Sequence, residues 1–224
     1  VAGTFNITGK GVSALPQIAA NFATGTFNLF ENSYINVNTN QGTFSLALNT
    51  GSIMVCNLST FTCETANLYA DTGSKILVKN VTSNNGGNVR VYSTSSIKVD
   101  ELTYNRTAGN TTAAYITVAG GHMKAGNINF NGYNDGTLYS NNDITFSEAA
   151  TVTCGTINMN NSGSGISIKE GSTLDAAAIN MTDCSKVGTG AVAVDTGSRL
   201  ICSSINGTRN TGSIGSVLTV KSGS

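Results

Sequence analysis

One phrase returns along the whole chain: an alternating strand, a small-residue turn that is usually Gly-Ser, a second alternating strand, then Ile-Asn. The turns fall at Asn32-Ser33, Gly51-Ser52, Gly73-Ser74, Ser95-Ser96, Gly120-Gly121, Ala149-Ala150, Gly171-Ser172, Gly197-Ser198 and Gly223-Ser224. Their spacings are 19, 22, 22, 25, 29, 22, 26 and 26 residues, close to one circuit of a three-sided coil. The surplus residues sit in Asn-, Gly- and Ser-rich loops such as 84–88 and 131–136. A unit this short cannot bury its own apolar side, so it must stack on its neighbours.

Apolar residues alternate with polar ones before each turn, as at Leu46 and Leu48, Leu68 and Ala70, Ile144 and Phe146, Ile166 and Ile168, Val192 and Val194, and Leu218 and Val220. A period of two places one side of each strand in the interior. After the turn the alternation resumes and reaches a shared apolar position at Leu58, Val81, Ile128, Ile157, Ile179 and Ile205. The next residue is Asn129, Asn158, Asn180 or Asn206. Stacked at the strand separation of ~4.8 Å, these amides are expected to form a ladder at a corner, each bonding to the coils above and below.

The expected fold is therefore all-β, a parallel β-solenoid of about nine coils with a repeat of 19–29 residues. Nine such levels make a rod roughly 40–45 Å long. A β-sandwich of many short strands is the alternative, and the stacked Ile-Asn positions favour the solenoid. Residues 25–224 form the repeat domain, and residues 1–24, with Leu15-Pro16-Gln17-Ile18, fit the repeat poorly and read as a cap or an assembly segment. The last turn, at Ser224, has no second strand after it. A coil ending there is an unpaired strand edge able to accept another subunit.

Lys+Arg and Asp+Glu balance at 12 each and only 11% of residues are charged. No long-range field gathers nucleic acid, and no apolar run is long enough to span a membrane. The chain begins at Val1, which fits removal of a secretion signal. Asn-x-Ser/Thr sequons occur at Asn6, Asn57, Asn80, Asn105, Asn110, Asn160, Asn180 and Asn206, which fits export. Inward-pointing Asn180 and Asn206 would be shielded from glycosylation. Asn105 and Asn110, in a loop-like stretch, are the better acceptors, with Asn80 and Asn6 behind them.

Cysteines stand at positions 56, 63, 154, 184 and 202. Cys56, Cys154 and Cys202 occupy equivalent repeat positions, which Ala125 and Ala176 fill in other coils. A small inward site explains both residue types, so Cys154 is expected to be a buried thiol. Cys154 and Cys202 lie two coils apart, ~9.6 Å on the strand rise, beyond the ~7 Å reach of a disulfide. Cys56 can pair with Cys63 across a short loop, and Cys184 with Cys202 or with another molecule. An odd count leaves one thiol free or intermolecular.

The lone His122 has no recognisable partner for triad catalysis, and no Cys/His spacing suits zinc. No cofactor or metal is expected. Glu148 and Glu170 occupy equivalent positions of adjacent coils, at about the ~5 Å separation of a retaining glycosidase pair. The same position holds Thr50, Thr72, Thr94, Ala119 and Thr196, so an exposed turn explains the pair as well.

In its Thr-Gly-Ser turns at 50–52, 72–74 and 196–198, its Asn-rich corners and its low charge, the chain resembles secreted β-solenoid surface proteins. That group includes adhesin passengers, phage tail-fibre domains and the subunits of archaeal sheaths and surface layers. The resemblance is architectural and covers residues 25–224. Cysteines and sequons favour the extracellular sheath or layer subunit over a fibre assembled in a reducing cytoplasm. The expectation is a non-catalytic structural protein at the cell surface or envelope, polymerising with itself through strand edges and disulfide bridges. The first alternative is a fibre or adhesin whose loops at 105–112 and 132–142 bind surface glycans. The second is a polysaccharide-cleaving enzyme using Glu148 and Glu170.

Overall fold

Each repeat contributes one short and one long strand, and the strands stack by register into two parallel sheets. In chain order the strands are β1 (Thr4–Thr8), β2 (Gln17–Phe22), β3 (Thr26–Asn28), β4 (Tyr34–Asn38), β5 (Thr43–Leu48), β6 (Ile53–Cys63), β7 (Thr65–Ala70), β8 (Lys75–Ser83), β9 (Gly87–Val91), β10 (Ser96–Asn105), β11 (Ala114–Ala119), β12 (His122–Asn131), β13 (Asp143–Ser147), β14 (Thr151–Asn160), β15 (Ile166–Ile168), β16 (Thr173–Thr182), β17 (Thr189–Val194), β18 (Arg199–Thr208) and β19 (Ser216–Val220). This computed structural model describes the backbone of these strands, and backbone with side chains at 65–105, 114–132, 144–160, 165–184, 191–208 and 217–224. One sheet runs β1-β4-β6-β8-β10-β12-β14-β16-β18, with β3 also on β6, and the other runs β19-β17-β15-β13-β11-β9-β7-β5-β2. The fold is the parallel β-solenoid, with no helix among the described residues. About four turns are described in full, fewer than the nine expected, and at the remaining levels only the order of backbone strands is described.

The cross-section has three sides although hydrogen bonding divides it into two sheets. Along β10 and β12 inward and outward residues alternate until two consecutive residues face out, Asp100-Glu101 and Gly126-Asn127. A straight strand cannot put neighbours on one face, so the chain turns a corner there and the next residue again points inward. Gly126 and Gly155 occupy this corner, where backbones approach so closely that a Cβ would overlap the carbonyl oxygens of Asp100 and Gly126 respectively.

Inside, identical register positions stack into columns. Ile76, Ile97, Met123, Val152 and Leu174 form one, continuing to Leu200. Val81, Leu102, Ile128, Ile157 and Ile179 form another, continuing to Ile205. The short strands add Leu68, Val89, Ile116, Ile144, Ile166 and Val192. Nearly all are shut off from solvent, and full burial of each such side chain stabilises by roughly 1.5–3 kcal/mol. Tyr104 stacks on Phe130 with ring centroids 5.4 Å apart.

Two expected register positions are corrected. Leu58 does not share the Ile128 column: pairing of β6 with β8 shifts between Cys56 and Thr60, and Phe61 takes the level of Val81. The turn after β9 is centred one residue earlier than Ser95-Ser96, because Ser95 N–H donates to the Tyr92 carbonyl at 2.9 Å and Ser96 already pairs with Lys75. The turns expected at Asn32-Ser33 and Gly51-Ser52 lie outside the described residues.

Candidate functional site

The turns that join short to long strands are the most regular local feature. In those ending at Ser74, Ser95, Ala150, Ser172, Ser198 and Ser224, the fourth residue's N–H closes back on the first residue's carbonyl, as from Ser74 to Asp71 at 2.8 Å and from Ser198 to Asp195 at 2.9 Å, whereas at Gly120 the N–H donates to the Ser147 carbonyl of the next coil at 3.0 Å. Gly73, Gly171, Gly197 and Gly223 hold the left-handed position with φ of 74°, 72°, 77° and 82°. The following serines are not surface residues: Ser74, Ser95, Ser172 and Ser198 are buried. Ser95 Oγ donates to the Asp71 carbonyl one coil back at 2.6 Å, and Ser224 Oγ does the same to Asp195 at 2.8 Å. In the Gly-Ser turns glycine meets the backbone requirement, and the buried serine hydroxyl accepts the Ala150 N–H one coil back at Ser172 but has no hydrogen-bond partner among the described residues at Ser198.

Glu148 and Glu170 do stand at equivalent positions, both exposed and both in the left-handed region with φ of 57° and 56°. The Glu170 carboxylate accepts the backbone N–H of Glu148 at 3.2 Å. Its charge is thereby directed at the neighbouring turn's backbone. His122 is exposed at the start of β12, and no cluster of three or more His, Cys, Asp or Glu side chains suited to a metal ion occurs among the described residues.

The asparagine ladder is present, with amide Nδ2 donating to Oδ1 from Asn158 to Asn129 at 2.9 Å, Asn180 to Asn158 at 3.0 Å and Asn206 to Asn180 at 2.9 Å. At its far end Asn129 Nδ2 meets Glu101 Oε1 at 3.1 Å and Thr103 Oγ1 at 3.2 Å. It runs along the outer face of the third side, because the buried neighbours are Ile179 and Met181 and the asparagines between such pairs point out. A second ladder, two residues on, links Asn160 to Asn131 at 3.1 Å, Asn131 to Asn105 at 3.0 Å and Asn105 to Asn84 at 3.4 Å. A third pairs Asn88 with Asn67 at 3.1 Å on the short-strand side. Asn105, expected as a glycan acceptor, is a half-buried rung of the second ladder. Asn80 is half-buried on β8, and the side chains of Asn6 and Asn110 lie outside the described residues.

Register places Cys154, Ala176 and Cys202 in one column on successive strands, continuing from Cys56 through Val78, Val99 and Ala125. Cys154 and Cys184 are buried and Cys202 is half-buried. The Cys184 thiol donates to the Met159 carbonyl at 3.0 Å. Burial first, then the neighbouring Cys202 and Asp175, push the Cys154 thiol from 9.0 up to about 12. It is protonated at neutral pH and unsuited to nucleophilic work. The side chains of Cys56 and Cys63 lie outside the described residues.

At the end formed by β18 and β19 the interior columns are uncovered. Leu218 and Val220, in register with fully buried Val192 and Val194, are 40% and 55% exposed. Leu200, Cys202 and Ile205 are only partly buried against the core. The Lys221–Asp195 ion pair at 2.6 Å crosses between the last turns, but both partners are wet enough that it adds little. No helix among the described residues is long and apolar enough to cross a membrane. No protein-family model matches the sequence, no curated protein is a significant match to it, and no solved structure is a significant match to its fold.

Proposed function

We propose that the chain is a non-catalytic, extracellular structural protein of the cell surface that assembles end to end into a sheath, layer or filament. The carrying observation is the continuous parallel stack, in which each coil buries its apolar columns against the next and matching residues pair level by level. An apolar cross-section rimmed by strand edges gains from the addition of another parallel coil. The opposite edge, β1 and β2, belongs to the same two sheets. A second copy adding there is a head-to-tail contact, which repeats without closing and yields fibres or sheets. Neutral charge balance removes the long-range repulsion that would oppose such stacking. Disulfide bridges between copies, through thiols such as Cys202 on the edge strand, would lock the polymer against dissociation.

Electron microscopy and sedimentation of the native protein, run beside reducing and non-reducing gels, test this reading. Filaments, tubes or sheets that persist without reductant and shorten with it are expected. Leu218→Lys with Val220→Lys should leave a soluble folded monomer, because two charges on the end face oppose docking. A wild-type protein that stays monomeric at high concentration overturns the proposal.

A further inference from the structure

On the second side of the coil, formed by the first half of the long strands, outward residues collect positive charge that is scattered in the sequence. Lys98 and Lys124 are direct register partners on adjacent strands, Lys75 and His122 both flank Ser96, and all four cationic or titratable side chains are exposed. They surround a cleft of about 380 Å³ that also takes in Leu77, Thr151 and Thr153. Among the described residues none of the three lysines has an acidic partner, since the single ion pair is that of Lys221 and Asp195.

Like charges placed directly across a strand pair destabilise the sheet, yet Lys98 and Lys124 are stacked at the ~4.8 Å strand separation. On the third side the outward register contacts include complementary amide ladders. We propose that this cleft binds an anionic polysaccharide carrying one carboxylate per sugar ring, the uronic-acid type. Three features favour that partner. Its carboxylates recur about one ring apart, a spacing comparable with the ~4.8 Å strand rise. Ser96, Thr151 and Thr153 place hydroxyls beside the lysines to meet sugar hydroxyls. The cations are lysines, compact point charges suited to single carboxylates, and the cleft has neither the arginines that grip phosphate or sulfate bidentately nor an aromatic platform for nucleobases. The volume lies at the lower end of the usual range for ligand sites. This site is independent of the end-to-end contact, because it lies on a side of the coil and that contact lies on its end.

The test is titration of the full chain with a fluorescent uronate hexasaccharide, beside a neutral hexasaccharide, a sulfated one and a single-stranded oligonucleotide. Saturable binding of the uronate is expected, weakened by added salt and by on the order of tenfold in Lys98→Gln/Lys124→Gln. The charge-preserving Lys98→Arg/Lys124→Arg should retain it. The Gln variant should unfold at the same temperature or higher, since it removes a like-charge contact, and Lys75→Gln gives a second, independent loss. Equal binding of the neutral glycan, no effect of either Gln variant, or tighter binding of the sulfated glycan or the oligonucleotide each overturns the proposal. So does a change in sedimentation of the Gln variant without glycan, which would make this side a contact between copies.

Discussion

The turn from Ser147 to Ala150 carries a Cβ at the left-handed position that glycine fills in most of its neighbours. Ala149 sits at φ 57°, where the equivalent residues Gly73, Gly171, Gly197 and Gly223 carry no Cβ. An L side chain in that region costs about 1 kcal/mol or more, and here nothing offsets it, because Ala149 is exposed. Ala149→Gly should therefore stabilise the protein by about 1 kcal/mol, a rise of roughly 2–4 °C in Tm for a chain of this size, measurable by calorimetry. The same substitution at Ala150 should do the reverse, since Ala150 is 1% exposed and its methyl fills the inward column that serine holds elsewhere. Such residue-level detail was partly legible beforehand. Gly-Ser announced most turns, but Tyr92-Ser93-Thr94-Ser95 contains no glycine, with Thr94 taking the left-handed position at φ 61°. With no glycine to mark the position, the spacing points one residue late. The inward role of the serines carries no sequence signal, because a hydroxyl after a turn looks the same whether it faces water or a carbonyl.

At the scale of the element, the outer ladders tie one coil to the next through amides that both give and accept. Asn158 receives from Asn180 and donates to Asn129, so Asn158→Ala strands one acceptor and one donor on a half-buried surface. The expected loss is about 1 kcal/mol in denaturant unfolding. Asn158→Asp should cost more, because its carboxylate still accepts from Asn180 but faces the Asn129 oxygen with no proton to give. Equal effects of the two variants would mean that the ladder contributes packing alone. This ladder was readable from the Ile-Asn spacing, and so was the column holding Cys56, Cys154 and Cys202, because both follow from counting forward from a turn. The count failed where residues are inserted between Cys56 and Thr60, putting Phe61 where Leu58 was expected. The lysine cleft could not be read at all: Lys75, Lys98 and Lys124 lie about a coil apart, and only the register brings them to one side.

For the whole molecule, the parallel register makes the chain a one-dimensional stack in which each coil contacts only the coils beside it. Stability then sums coil and interface terms, and a coil covered on one side lacks one of those interfaces. Coils spanning β12 to β16 are sandwiched and carry the fully buried Ile128, Ile157, Ile144 and Ile179. Among the described strands, β18 and β19 have partners on one side only. Native-state hydrogen exchange of the monomer should therefore be graded, with amides of β18 and β19 opening first and those of β12 and β14 exchanging last. Uniform protection along the rod would mean that the coils unfold as one cooperative body. The gradient also reports on assembly, because a second copy docked on the end converts the terminal coil into an inner one. Raising the protein concentration should then slow exchange at β18 and β19 while leaving β12 and β14 unchanged. In Leu218→Lys/Val220→Lys the terminal amides should exchange at the same rate at every concentration. Concentration-dependent protection that survives in that variant would place the contact between copies on a side of the coil instead of its end.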